Sequence, residues 1–518
     1  MEKVSLLKGG FVMILRCTKK NARMQIILLL TILLAVDMPL ARSEGIEVYP
    51  NNRSYWQYDN KPVMLLGGTD DEALFHWAGD IDLLRRQLDL LVDCGGNYVR
   101  CTMSVRRGDN PIYPVREKPY VRLKNGKYDL DQWNGEFWRR FRVFLDQCKR
   151  RDIIVQIELW ATHDLVHLKS DTPGVWPTHP LNPKNNVNYG FSPETVFPRQ
   201  PRGNANDAFY QSIPVLKHDQ TVLKHQQKFV DKILSYAFKF DNVLYCVDNE
   251  LRPQHPYQWS HYWAKYVQNQ ARRKGKKIYV SEMHRDFKTP RDKSLSRTER
   301  MVGGKFTYVF DYPQIFPFLE LSETSTRFSD YDELWRNLEV IRTYTSEFPR
   351  PMTNVKVYGG GDKSTFRKRR PTIHRFCELV CAGRSAVRFH RPVRGGENGM
   401  GLNPAAQVCL KAVRRFCDLV EPWRCMPNLD LLRNREDNEA YMLANPGVVY
   451  GILMTGSYGD GMVRLDTCNH SGAYILTWIN LETGQSLKAE SITVADEIDI
   501  KAPAKGSKYG WLAALVKN

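Results

Sequence analysis

Beyond Ser43 the chain has no apolar run long enough to cross a bilayer, no glycine-rich phosphate loop and no cluster of histidines and cysteines at metal-ligand spacing. Each absence removes a class of function. A spanning helix needs ~20 consecutive apolar residues, so no stable membrane insertion is expected of the chain after residue 43. Gly67-Gly68-Thr69-Asp70-Asp71 is glycine-led, but it ends in two carboxylates that would repel a phosphate. No nucleotide cofactor is expected. Cys377 and Cys381 lie one helical turn apart without nearby histidines, a poor zinc signature and an ordinary one for small buried residues. No metal is expected either. The basic residues come without a zinc-finger, helix-turn-helix or aromatic-basic signature, which argues against nucleic acid as a partner.

What is present begins with the leader. Lys19, Lys20 and Arg23 precede an apolar run from Ile26 to Val36 broken only by Thr31, and Ala41-Arg42-Ser43 follows as a small-residue cleavage site. This pattern reads as a signal peptide over residues 1–43, with the mature chain secreted or placed in the periplasm or cell envelope. A retained anchor is the rival reading. Seven basic and two acidic residues lie in that leader, which takes the formal charge from +18 to +13. Such a surface steers anions toward it, so an anionic polysaccharide is one expected partner; a solvated basic face without a partner is the alternative. Cys17 falls in the leader, and the pairing of the ten later cysteines cannot be read from spacing.

From Lys61 to about Arg424, short apolar runs alternate with amphipathic stretches, the pattern of strand-helix repeats. The eight expected strands are Val63–Leu66, Asn97–Thr102, Ile153–Glu158, Val243–Asp248, Ile278–Glu282, Thr307–Asp311, Asn354–Tyr358 and Ala386–His390. Eight such units predict an α/β chain with a (β/α)8 barrel over residues 44–427, a doubly wound sheet being the alternative. Past Pro427 the texture becomes alternating residues and turns, as in Tyr474-Ile475-Leu476-Thr477-Trp478. A small antiparallel β-sandwich is expected over 428–518.

Phasing each strand by its polar face places Asp70, Arg100, Glu158, Trp160, Asp248, Glu250, Glu282, Asp311, Lys356, Tyr358, Arg388 and His390 around the C-terminal ends of the strands, where barrel active sites lie. So many charged groups imply a wet mouth, because unpaired charges are costly to bury. Carboxylates in pairs, with an arginine and aromatic walls, are what glycoside hydrolysis needs. Trp160, Tyr312 and Tyr358 are candidates to stack on sugar rings, and the asparagines of the insertion after strand three are candidates to line a cleft.

At strand four, Val247-Asp248-Asn249-Glu250 resembles the Asn-Glu signature of clan A glycoside hydrolases. Gly95-Gly96-Asn97-Tyr98-Val99-Arg100, Asn185-Asn186-Val187-Asn188-Tyr189 and Ala386-Val387-Arg388-Phe389-His390 resemble secreted cellulase-like and apiosidase-like proteins that carry a C-terminal domain of the collagen-binding type. The resemblance implies that Glu250 is the proton donor, that Asn249 binds a sugar 2-hydroxyl, and that Arg100 is the clan's strand-two arginine. Departing from the clan, strand seven reads Asn354-Val355-Lys356-Val357-Tyr358, with lysine in place of the nucleophilic glutamate. The second carboxylate would then be Asp70, Glu282 or Glu158, in that order, or else the barrel binds carbohydrate without cleaving it. A surface adhesion protein acting through the β domain is the third reading.

Overall fold

The computed structural model describes residues 45–104, 116–165, 176–191, 207–252, 255–284, 308–322, 331–359, 369–392, 399–456, 459–503 and 507–518; the leader falls outside them. Eight parallel strands close into a barrel: Leu65–Gly68, Tyr98–Thr102, Ile154–Ala161, Val243–Leu251, Val280–His284, Leu319–Glu320, Met352–Val357 and Ala386–Phe389, numbered here one to eight. Helices cover the outside. Ile81–Asp93 buries Leu84, Leu88 and Leu91 on one face, and the Asp80 side chain caps its first turn through the Leu83 amide. Gly135–Lys149 does the same with Phe137, Phe141, Phe144 and Cys148 under an Asn134 cap.

Strands five and seven start two residues away from the expected bounds, and strands one and six differ in kind. Val63 belongs to a three-stranded antiparallel sheet (Ile46–Val48, Trp56–Tyr58, Lys61–Val63), and the first barrel strand starts two residues later at Leu65. Thr307–Asp311 was expected as strand six, but Tyr308–Asp311 is a single helical turn. The true strand six is Leu319–Glu320, only two residues long. A strand that short shows no alternation, while the apolar run at Tyr308-Val309-Phe310 suits helix and strand equally.

Trp56 on the N-terminal sheet closes the bottom of the barrel. It is fully buried and meets Tyr279 and Phe318 edge-on, with ring centroids 5.2 and 5.5 Å away. Around it lie inward-facing Leu65, Tyr98, Ile154, Leu244 and Val355. Trp56→Ala is expected to cost about 3–5 kcal/mol, read as a fall in the urea midpoint; a loss below about 1 kcal/mol would mean that Trp56 does not plug the barrel.

The C-terminal region is a sandwich of a six-stranded and a three-stranded antiparallel sheet, running from Met426 to Lys517. Its strands alternate: Ala440, Met442 and Ala444 face the three-stranded sheet, while Tyr441 and Leu443 face the barrel helices. The outer face of the large sheet therefore shares one core with Phe416 and Val420 of helix Pro404–Val420. Polar contacts reinforce this seam, because Asp332 on helix Tyr331–Tyr344 accepts a hydrogen bond of 2.6 Å from Tyr441 and pairs with Arg435. All ten cysteines after the leader are unpaired, nine of them buried. Among the described residues no helix is long and apolar enough to cross a membrane.

Candidate active site

Glu250 stands at the C-terminal end of strand four. Relative to strand five, strand four carries extra residues on either side of Asn249, since Ser281, Met283 and His284 face Cys246, Asn249 and Leu251. Bulges of this kind re-aim side chains beside active sites. Glu250 takes a left-handed backbone conformation there, with φ of 73°. For a residue with a Cβ this costs roughly 1–2 kcal/mol, and such strain persists only where the surroundings enforce it.

Two side chains from other strands hold it. Lys356 Nζ, from strand seven, lies 2.5 Å from Glu250 Oε1. His163 Nε2, just past strand three, lies 2.7 Å from Oε2. The register between strands seven and eight shifts between Asn354 and Val357, so Val355 packs in the barrel interior while Lys356 also reaches inward to the mouth. Burial opposes ionisation of Glu250, but the Lys356 ammonium and then His163 outweigh it and hold the carboxyl well below its ordinary value. These surroundings favour the ionised form of Glu250. That direction runs against its expected part as a resting proton donor, which needs its proton held.

A second network lies beside the first. Arg100 is fully buried; its guanidinium is 2.5 Å from Glu158 Oε2 and 3.7 Å from Glu72. Burial disfavours that charge, yet Glu158 and Glu72 together hold it above its usual value. Arg391 closes the group with Nε 2.9 Å from Glu72. Arg388 donates to Val355 O at 3.1 Å and to Thr69 Oγ1, and burial next to Arg100 brings it down to about 9. His390 packs on Tyr358 with ring centroids 4.5 Å apart. Burial, then Arg391 and Arg100, push its imidazole well below the ordinary range, so it is neutral. Asn249 is buried, and its Oδ1 has no hydrogen-bond partner among the described residues.

Other expected site residues are committed elsewhere. Asp70 accepts the Leu402 amide at 2.9 Å and anchors the loop after strand eight. Asp248 accepts from the Thr162 amide and hydroxyl at 3.0 and 2.8 Å, and Glu282 from Ser260 of helix Tyr257–Arg273 at 2.6 Å. Burial raises all three carboxyls. Glu282 faces the helix layer because the neighbouring Met283 faces the barrel interior. Trp160 is packed among Phe209, Phe229 and Trp263 at 5.2–5.5 Å and presents no face to a sugar. Asp311, displaced with the misplaced strand six, is exposed and accepts from Tyr344. It borders a groove with Val48 and Tyr279, at the closed end of the barrel. Tyr312 meets the His261 ring edge-on, with centroids 4.8 Å apart. In the strand-three insertion, the amides of Asn182, Asn185 and Asn186 donate to carbonyls of their own loop, so they shape it rather than line a cleft.

Glu72, His163 and Glu320 escaped the sequence reading. Glu72 continues the acidic Asp70-Asp71 run, and His163 follows Glu158 just past the strand end; both positions carried a signal. Glu320 carried none, because strand six is two residues long. Inside the barrel, Glu320 Oε1 accepts from the Ser322 amide (3.1 Å) and hydroxyl (2.5 Å) and from the Val355 amide (3.3 Å), while the Lys356 amide donates to Ser322 Oγ at 3.0 Å. These side chains continue the ladder between strands six and seven where backbone pairing has ended. Burial raises Glu320 to about 7, held back by Ser322 and Lys356. Below the unfolded value of about 4.3 both states hold the proton; as pH rises toward 7 the unfolded chain loses it first, so this group lowers stability across that window. Glu320→Gln should therefore gain in Tm relative to the parent between pH 5 and pH 8. An offset that stays constant across that interval would contradict the raised value.

No family model and no curated protein matches the sequence. Solved structures do match. A glycoside hydrolase of family 5 from Bacteroides vulgatus superposes with a TM-score of 0.57 over 91% of this chain and 93% of its own, at 12% identity. A structure described as a glycoside hydrolase gives 0.56 over 92% and 97%, at 11% identity. At such identities the shared property is the architecture, a closed parallel barrel followed by antiparallel sheets, and the clan A resemblance holds at that level.

Proposed function

We propose that the chain is a glycoside hydrolase whose reacting group is Glu250, entering the reaction as a carboxylate. The observation that carries this is the strained Glu250 backbone at the end of strand four, with its side chain fixed between Lys356 and His163. Strain maintained at one polar residue by two side chains from elsewhere in the barrel is characteristic of a functional centre. As a carboxylate, Glu250 can attack an anomeric carbon or activate water, and the leaving oxygen takes its proton from another acid. Of the carboxyls raised by burial, Asp248, Glu282 and Asp70 are tied to Thr162, Ser260 and the Leu402 amide. Glu320 is also hydrogen-bonded, but through Oε1 alone; its Oε2 has no partner among the described residues, and with burial raising the group to about 7 it is our choice of proton donor. Asn249, Tyr358 and His390 would contact the sugar, with Arg100 positioning Glu158 and Glu72 behind them. The substrate is a polysaccharide or glycoconjugate, and the leader in residues 1–43 supports export.

One observation favours a second reading, a barrel that binds carbohydrate without turnover: Lys356 neutralises Glu250 at the position where a nucleophile would stand. Incubation of the protein with neutral and anionic polysaccharides, assayed for new reducing ends, separates the two. Release of ends supports hydrolysis. Retention on a glycan with no ends released from any substrate replaces it with the binding reading.

A further inference from the structure

The closed end of the barrel carries a second surface of unusual charge. Two adjoining grooves of about 570 and 810 Å³ share Lys277 and Gln314. The first is lined by Lys265, Arg272, Lys276 and Lys277 with no carboxylate; the second adds Arg53 and Arg350 against the single carboxylate of Asp311. Three of these cations, Lys265, Arg272 and Lys276, are exposed and have no ion-pair partner among the described residues. Lys277 meets Glu47 at 3.2 Å, a pair open to solvent and of small net value.

A helix C-terminus favours nearby cations, which accounts for Arg272 at the end of helix Tyr257–Arg273 but not for Lys265 two turns earlier or for Arg53 in the turn between strands Ile46–Val48 and Trp56–Tyr58. Like charges this close repel one another, and a concave surface concentrates their field. Phe348, 56% exposed, borders the second groove together with Tyr279, and an aromatic ring beside cations suits a sugar ring bearing an anionic substituent. A nucleic-acid strand would be stacked on a series of exposed aromatics, which these grooves lack.

We infer that this face is a binding surface for a polysaccharide carrying sulfate or carboxylate groups, separate from the mouth at the opposite end of the barrel. It holds the polymer by charge, so binding weakens steeply with salt as screening shortens the range of the field. The reading does not depend on turnover at Glu250.

Anisotropy titrations of the full chain with labelled dextran sulfate, polygalacturonate, neutral dextran and single-stranded DNA test it. The triple variant Lys265→Glu, Arg272→Glu, Lys276→Glu is compared with Arg86→Glu, Lys488→Glu, Lys501→Glu, which changes net charge equally on other exposed sites. The expected result is binding of dextran sulfate or polygalacturonate, the better of the two identifying the anionic group, with affinity lowered about tenfold or more by the first variant and less than about twofold by the second. Equal losses in the two variants, no binding of either anionic glycan, or equally tight binding of DNA would each overturn the proposal.

Discussion

Glu250→Gln is expected to lower turnover of a cleavable glycan by roughly 10²–10⁴-fold, the range for loss of one positioned acid-base group, and by more if Glu250 forms a covalent bond. The substitution preserves shape and leaves an amide oxygen to accept from Lys356, so the fold should survive with reduced stability. It cannot supply the negative charge that both possible parts of Glu250, nucleophile and base, require. The loss should appear in kcat with glycan affinity largely kept, the signature of an interaction made in the transition state. Steady-state kinetics beside a circular dichroism spectrum settle the matter: unaltered turnover by a folded variant removes Glu250 from the mechanism.

Lys356→Met is expected to destabilise the protein by about 3–5 kcal/mol at pH 7, the range for removing one partner of a buried ion pair. Both side chains are nearly inaccessible, Lys356 at 1% and Glu250 at 8%, so water cannot take the lysine's place. The pH dependence has a definite sign. Glu250 is depressed in the folded state, so the stability from its ionisation is complete above the unfolded value of about 4.3 and is lost as pH falls through the folded one. The penalty of the variant should thus be full at pH 7 and shrink toward pH 3, as urea midpoints at both will show. Removing the ammonium also lets burial raise Glu250. The acid limb of the pH-rate profile, which reports the group that must be ionised, should move upward. An unmoved limb with a normal loss of stability would leave Lys356 a structural residue and return the proton question to another carboxyl.

Much of the barrel was legible in the chain. Helix faces such as Leu84, Leu88 and Leu91 repeat at helical spacing, and the capping residues Asp80 and Asn134 stand where the helices begin. Strands two, three, four and eight were placed within a few residues, because each is a run of apolar and β-branched residues bounded by turns. Strand six failed for the opposite reason: two residues cannot display a period, and its neighbour Tyr308-Val309-Phe310 looked more like a strand than it did. That one displacement sent Asp311 to the mouth on paper and hid Glu320.

Facing was harder than existence. Strict alternation put Glu282 in the mouth and Trp160 against substrate, whereas shifted registers and the helix layer turn both away. On strand seven the polar-face phasing and the structure agree on Lys356, and the irregularity between Asn354 and Val357 lets Val355 pack inward beside it.

The sequence by itself determined the class of fold, the position of Asn249-Glu250 at the end of the fourth strand, and a lysine rather than a carboxylate on the seventh, since these depend on residue type and local period. Only the tertiary structure decided that Lys356 and Glu250, 106 residues apart, form one pair, that this pairing lowers Glu250, and that burial raises Glu320. Ionisation depends on burial and on which charges come within a few ångströms, and neither is a local property of the chain.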